Sequence, residues 1–170
     1  GRHKESAKAF ERAGDPQRAA EQWARAGKPL HAAKMLQKGG DLAGAARFLA
    51  EGNKQTAAAQ LYLQLQDYTA AATEFGFAGK FGDAAAAFQK YFETAQGAPE
   101  MHIAAAEQCF QFLQKPEARG AMPPKSLAML AHSVALCFAA TKRYDLAATL
   151  FAECGDFAAA GDVYAKAGKF

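Results

Sequence analysis

The histidine and serine side chains that could carry out acid–base or nucleophilic chemistry are few in this 170-residue chain, and the histidines lie far apart. The histidines are His3, His31, His102 and His132, and the serines are Ser6, Ser126 and Ser133. They form neither a His-Glu-x-x-His helix, which binds zinc, nor a Gly-x-Ser-x-Gly turn, which presents a nucleophile. His132 and Ser133 are adjacent on a predicted helix, so their side chains diverge and cannot pair as base and nucleophile. We therefore expect no catalytic residues and no enzyme activity, and we interpret His31 and His102 as polar surface residues.

The sequence also lacks the patterns that hold a metal ion or a cofactor. Cys109, Cys137 and Cys154 are widely spaced, with no Cys-x-x-Cys pair and no neighbouring histidine that would indicate zinc. They fall among alanine and aromatic residues of predicted helices, where a free thiol packs as a small hydrophobic group. No glycine-rich loop has the spacing that cradles phosphates. We predict no metal, no cofactor and a reducing, cytoplasmic compartment.

The elements that position these side chains are specified by a thirteen-residue repeat. Its units end at Gly14, Gly27, Gly40, Gly52-Asn53, Gln66 and Gly79. Each later unit contains an alanine pair, at Ala19-Ala20, Ala32-Ala33, Ala45-Ala46, Ala58-Ala59, Ala71-Ala72 and Ala84-Ala85. Three residues after each pair comes a large apolar residue, namely Trp23, Leu36, Leu49, Tyr62, Phe75 or Phe88. Self-similarity at a short fixed period predicts a repeat architecture in which neighbouring units share one core.

One unit, residues 15–27, predicts one short helix and its turn. Asp15 suits the N-cap and Pro16 the first helical position, where no N–H donor is needed. Arg25 complements the helix dipole in the last turn, and Gly27 can adopt the left-handed conformation that ends the helix. A helix of this length is too short to be stable alone in water, so the stack of units is the folding unit.

Composition and spacing together predict an all-α fold. Alanine is abundant, whereas Ile103, Val134 and Val163 are the only isoleucine and valines, which excludes an extensive sheet. No apolar run is long enough to span a membrane, so we expect no membrane insertion. We predict a right-handed superhelix (an α-solenoid) of short antiparallel helical hairpins, with about 13 residues per helix-plus-turn unit.

We interpret residues 1–170 as a single fragment of a longer solenoid. Residues 1–92 form regular short-helix repeats, and residues 126–170 resume them and stop in mid-unit. Residues 93–125 are an irregular join, with a longer helix at 100–114 and a proline-rich loop at 115–125. Such an insertion is either a join between registers or a binding loop.

The charge of the residue that opens each unit alternates between basic and acidic, so the charge pattern repeats every two units. Units open on Arg2, Asp15, Lys28, Asp41, Lys54, Asp67 and Lys80, and later on Arg143, Asp156 and Lys169. Within residues 2–92, the basic-opening units carry ten basic and three acidic residues, a net +7, and the acidic-opening units three and six, a net −3. This segregation predicts a positive field along one side of the array. Candidate partner-binding residues at matched positions are Lys8, Arg12, Lys34, Lys38, Gln60, Gln64 and Lys90.

The pattern [Asp/Lys]-[Pro/Tyr/Phe]-x-x-Ala-Ala-x-x-aromatic-x-x-[Ala/Cys]-Gly resembles the tetratricopeptide-repeat superfamily. Residues 67–75 and 143–151 are similar to the second helix of that family, and residues 132–138 to its first. The period of 26 residues is shorter than the usual 34 and is similar to that of the short-helix α-solenoids of coat and intraflagellar-transport proteins. The resemblance implies a scaffold that binds segments of other proteins, commonly in a groove lined by first helices.

These observations predict a non-enzymatic protein–protein interaction scaffold that binds a segment of a partner protein, of acidic character. Two alternatives stay open. Helical-repeat nucleic-acid binding would need polar pairs at matched positions to read bases, and these positions vary too much for such a code. A structural spacer in a larger assembly would need no binding surface.

Overall fold

The computed structural model of the chain describes residues 1–168. This range contains twelve α-helices, one 3-10 helix and no strand. Successive short helices pack against each other in a repeat-like, solenoid manner. The predicted all-α repeat class is therefore confirmed. By its contacts the chain divides into two compact units, one ending at Gly79 and the other beginning at Lys80.

The first unit contains six helices of ten or eleven residues. They are α1 (Arg2–Arg12), α2 (Pro16–Arg25), α3 (Pro29–Lys38), α4 (Leu42–Glu51), α5 (Gln55–Gln64) and α6 (Tyr68–Phe77). Each packs on the next along the chain, from the pair α1–α2 to the pair α5–α6. No helix of this length has to be stable by itself, because each buries its apolar face on a neighbour.

The helix ends explain the thirteen-residue period. After α1, the Gly14 N–H donates to the Glu11 carbonyl at 3.2 Å and the Asp15 N–H donates to the Phe10 carbonyl at 3.0 Å. These two bonds form a Schellman motif, which requires a left-handed residue at its centre. The left-handed residues of the first unit are Gly14, Gly27, Gly40, Asn53, Gln66 and Gly79, with φ between 56° and 83°. All the predicted breaks are confirmed, and at Gly52-Asn53 the left-handed residue is Asn53.

The residue that follows each left-handed position is also the N-cap of the next helix, and here the charge alternation has a structural consequence. Asp15, Asp41 and Asp67 accept hydrogen bonds from the third backbone N–H of their helices, at 3.0, 2.8 and 3.1 Å. Lys28 and Lys54 make no such side-chain bond, because an ammonium group is only a donor. Side-chain capping therefore occurs only in the acidic-opening helices of this unit.

The core of the first unit is built from the alanine pairs. The pairs from Ala19-Ala20 to Ala71-Ala72 are all 0 or 1% exposed. Trp23, Leu36 and Phe75 are buried beside them, whereas Leu49 and Tyr62 are half-buried. Small residues at mid-helix let neighbouring backbones approach closely, and the larger residue fills the space one turn later.

The second unit is less regular. Its helices are α7 (Phe81–Thr94), α8 (Ile103–Leu113), α9 (Pro116–Gly120), α10 (Pro124–Ala140), α11 (Tyr144–Glu153) and α12 (Phe157–Lys166), and a 3-10 helix (Pro99–His102) precedes α8. α10 packs against α7, α8, the 3-10 helix and α11, and α11 packs against α12. The thirteen-residue spacing returns in the left-handed residues Lys142, Gly155 and Gly168.

Two predictions for the irregular join were wrong in detail. The segment 100–114 is a 3-10 turn followed by α8 rather than one helix, and α9 lies inside the predicted loop 115–125. Proline does not prevent this short helix, because Pro116 occupies its first position, where no N–H is needed. Ala118 is fully buried, so packing against the rest of the unit supports a helix that local sequence would not predict.

His102 does not have the predicted role of a surface residue. Its Nε2 lies 3.1 Å from the Gln96 carbonyl, to which it donates, and its Nδ1 lies 2.9 Å from the Tyr91 hydroxyl. The ring is half-buried and connects the 3-10 helix to the end of α7. His31 is exposed as predicted, but its ring packs on Trp23 with the centroids 4.7 Å apart.

Candidate binding surfaces

Four of the predicted binding residues form a basic surface in the first unit. Lys8 and Arg12 are four residues apart on α1, and Lys34 and Lys38 are four apart on α3, so each pair shares one helix face. All four side chains are exposed. Within residues 1–168, none of the four forms an ion pair. We call these four residues the α1–α3 basic surface.

Two carboxylates near this surface in the sequence, those of Glu11 and Asp15, have other partners. Glu11 accepts a hydrogen bond from the Trp23 indole N–H. Asp15 accepts from the Arg18 backbone N–H at 3.0 Å and from the Arg18 Nε at 2.6 Å. The backbone bond, and then the side-chain bond, hold the pKa of Asp15 below its usual value. The charges of the basic surface are therefore left for an external partner.

A cleft in the first unit has residues of α1, α2 and α3 in its wall, and Lys38 is the one member of the basic surface among them. The cleft has a volume of about 240 Å³ and is lined by Glu11, Gly14, Asp15, Pro16, Met35 and Lys38.

All of the net charge of the chain lies in the first unit. Residues 1–79 contain eleven basic and eight acidic residues, whereas residues 80–170 contain nine of each. An excess of positive charge in one unit attracts acidic ligands to that unit.

The other three predicted residues have different surroundings. Gln60 and Gln64 are exposed and four residues apart on α5, at positions that match those of the lysine and arginine pairs. Lys90 belongs to the second unit, and its Nζ lies 3.7 Å from a carboxylate oxygen of Glu93. A shared surface formed by all seven residues stays a prediction.

The second unit has a surface that sequence analysis did not anticipate. One cleft of about 120 Å³ is lined by Gln89, Phe92 and Glu93 of α7 and Met129, Leu130 and Ser133 of α10. Another of about 390 Å³ is lined by Ala128, Met129, His132 and Ser133 of α10 and by Cys154 and Asp156 between α11 and α12. Met129 and Ser133 line both clefts. We call these lining residues, together with Leu136, the α10 surface.

The α10 surface exists because two helices are longer than the repeat allows. α7 has 14 residues and α10 has 17, whereas the regular helices of the first unit have ten or eleven. The sequence analysis placed residues 80–92 in a regular short-helix unit and the longer helix at 100–114, so it did not predict that α7 would extend to Thr94.

The polar groups of the larger cleft already hold local structure. Ser133 donates its hydroxyl to the Met129 carbonyl at 3.0 Å, and Asp156 accepts from the Ala159 N–H at 3.0 Å as the N-cap of α12. His132 Nδ1 lies 3.6 Å from an Asp156 carboxylate oxygen. The cleft thus combines apolar walls with one carboxylate and one imidazole, an arrangement suited to binding.

The cysteines pack as the sequence predicts. Cys109 and Cys137 are buried, Cys154 is half-buried, and all three are free thiols. Burial raises the pKa of the Cys109 and Cys137 thiols, so both stay protonated and unreactive at neutral pH. In the described part of the chain, no three histidine, cysteine, aspartate or glutamate side chains cluster closely enough to hold a metal ion.

No protein-family model matches the chain, and comparisons with curated proteins and with solved structures give no match either. Among residues 1–168, no helix combines the length and the apolar character needed to cross a membrane.

Proposed function

We propose that the chain is a non-enzymatic, cytoplasmic interaction scaffold of the tetratricopeptide-repeat type, and that its α1–α3 basic surface binds an acidic segment of a partner protein. The observation that carries the proposal is the presence of four exposed cations on α1 and α3 at matching positions of the repeat, without ion pairs in the described residues. A right-handed superhelix and tetratricopeptide-like ancestry are part of the proposal and rest on the sequence pattern.

The surface favours a partner whose carboxylates lie over α1 and α3. Gln60 and Gln64 occupy the matching positions on α5, so neutral polar groups of the partner would follow there. Each exposed ion pair contributes only about 0.2–1 kcal/mol and is weakened by salt. The complex should therefore form quickly, bind with moderate affinity and weaken as ionic strength rises.

The direct test is a fluorescence titration of the chain with a labelled twelve-residue peptide of alternating glutamate and serine. Combined Lys8→Glu, Lys34→Glu and Lys38→Glu substitutions remove three favourable pairs and introduce repulsion. At about 0.5 kcal/mol for each of the three substitutions, about 1.5 kcal/mol in all, the affinity should fall about tenfold. The control is the combined Arg25→Glu, Arg47→Glu and Lys54→Glu variant, which makes the same charge change at exposed sites outside the basic surface.

The control variant should stay within about threefold of the wild-type affinity, because distant charges are screened in physiological salt. An equal loss in both variants would mean that only net charge matters and would contradict the proposed surface. A single-stranded RNA probe tests the nucleic-acid alternative. If that alternative holds, the affinity for the RNA should exceed the affinity for the peptide and should fall steeply as the salt concentration rises. A chain that binds neither probe would be better described as a spacer.

Aromatic stacking gives no support to the RNA alternative at this surface. Single-stranded RNA binding usually uses exposed rings on which bases stack. Trp23, the only tryptophan, is 6% exposed, and no aromatic residue lines the cleft between α1 and α3. The lysine and arginine pairs therefore support recognition of carboxylates more directly than recognition of bases.

A further inference from the structure

α10 is surrounded by helices, but two of its large apolar side chains stay exposed. Met129 is 46% and Leu136 is 45% exposed, although α10 packs against α7, α8, α11 and the 3-10 helix. The two residues are seven apart, so they lie on the same face of the helix. Met129 also lines both clefts, so its exposed side chain is continuous with two concave surfaces that a partner can fill.

The charges at the edges of the two clefts are acidic. Glu93 lines the smaller cleft and Asp156 the larger one, and Met129 lines both. Lys90 lies 3.7 Å from Glu93, and both of these side chains are more than half exposed. His132 lies 3.6 Å from Asp156. Neither approach is a hydrogen bond between the charged groups, so both carboxylates can accept a cationic side chain from outside.

From this arrangement we propose that the α10 surface is a second docking site, independent of the basic surface, for an apolar and basic segment of a partner protein. Two large apolar side chains of the segment enter the clefts on either side of Met129. Lysine or arginine side chains near the two ends of the segment pair with Glu93 and Asp156. An acidic segment is disfavoured there, because its carboxylates would meet those of the surface.

The dimensions define the length of the bound segment. Packed helices lie about 8–10 Å apart, so the path from α7 across α10 to α11 covers about 18 Å. An extended chain of about five or six residues spans that distance at about 3.3 Å per residue. Side chains two residues apart in such a chain point to the same side, about 7 Å apart, and can enter both clefts at once. The expected motif is thus two large apolar residues separated by one residue, with basic residues on both sides.

The test is a selection from a random twelve-residue peptide library displayed on phage, with the purified chain immobilised as the target. The disrupting variant is Met129→Lys, which places a cation at the shared wall of the two clefts. The matched control is Leu63→Lys, the same kind of change at a 37% exposed helical position in the first unit. Circular dichroism of both variants checks that the helices are retained.

The wild-type chain and the Leu63→Lys variant should enrich peptides with the apolar and basic motif, and Met129→Lys should recover these peptides about tenfold less well. No enrichment of the motif, or enrichment that Met129→Lys leaves unchanged, would overturn the proposal. The same library separates the two sites. Acidic peptides that are lost with the combined Lys8, Lys34 and Lys38 reversal report on the basic surface, so either site can fail while the other is supported.

Discussion

At the scale of single residues, the N-cap aspartates connect the repeat pattern to pH. Asp15 accepts two hydrogen bonds from Arg18, one from its backbone N–H and one from its side chain. These bonds favour the charged carboxylate and lower the pKa of Asp15 in the folded state. Because the folded-state pKa lies below the unfolded one, the stabilisation is complete above the unfolded pKa and is lost as the pH falls through the folded-state value.

We therefore expect Asp15→Asn to change the pH dependence of stability more than the fold. Asparagine can still cap the helix, but it cannot ionise. The stability of the wild type relative to the variant should be greatest above the unfolded-state pKa of about 3.9 and should decrease as the pH falls through the lower folded-state pKa. Urea unfolding followed by the fluorescence of Trp23 measures it, since this single tryptophan lies in the same unit. A difference that stays constant with pH would contradict the assignment.

At the scale of the elements, the left-handed position decides where each short helix ends. Glycine occupies most of these positions, but Asn53, Gln66 and Lys142 have φ of 56°, 59° and 64°. A residue that has a Cβ atom is strained in this conformation by about 1–2 kcal/mol, and the strain is smallest for asparagine. Gln66 and Lys142 therefore carry local strain that the stacked helices on either side must offset.

Gln66→Gly should stabilise the first unit by about 0.5–1 kcal/mol, because strain is relieved and the added flexibility of the unfolded chain offsets only part of the gain. Gln60→Gly, at an exposed position in the middle of α5, should lower the free energy of unfolding by about 1 kcal/mol. Urea midpoints from tryptophan fluorescence compare the two variants. Equal signs for the two changes would mean that the turn conformation is not strained.

Element boundaries were also where the sequence was most informative. Glycine, aspartate and proline at helix ends act through local hydrogen bonds and fixed dihedral angles, so their effect can be predicted without tertiary contacts. The exception is α9, which local signals assigned to a loop. Its burial at Ala118 depends on residues distant in the sequence, and no local pattern carries that information.

At the scale of the whole molecule, the large apolar residue of the repeat is buried to different extents in different helices. Phe151 on α11 is 2% exposed, and α12 packs against that helix. Tyr164 holds the corresponding position thirteen residues later on α12 and is 40% exposed. The same repeat position is thus a core residue in one helix and a partly solvated residue in the next.

Phe151→Ala should accordingly lower the free energy of unfolding by about 3–5 kcal/mol, as for a large buried aromatic residue. Tyr164→Ala should cost only about 1 kcal/mol, because much of the ring already contacts water. Urea unfolding followed by far-UV circular dichroism measures both changes. Similar costs at the two positions would contradict the difference in burial between the two side chains.

The sequence alone determined the all-α class, the repeat, the left-handed breaks of the first unit and the alanine core, because all of these follow from local conformational preference and period. It also singled out the basic residues of α1 and α3. Tertiary structure decided which charges stay without partners, through bonds such as those of Glu11 to Trp23 and of Asp15 to Arg18. It also created the α10 surface, whose side chains come from helices far apart in the sequence and meet only when the chain packs.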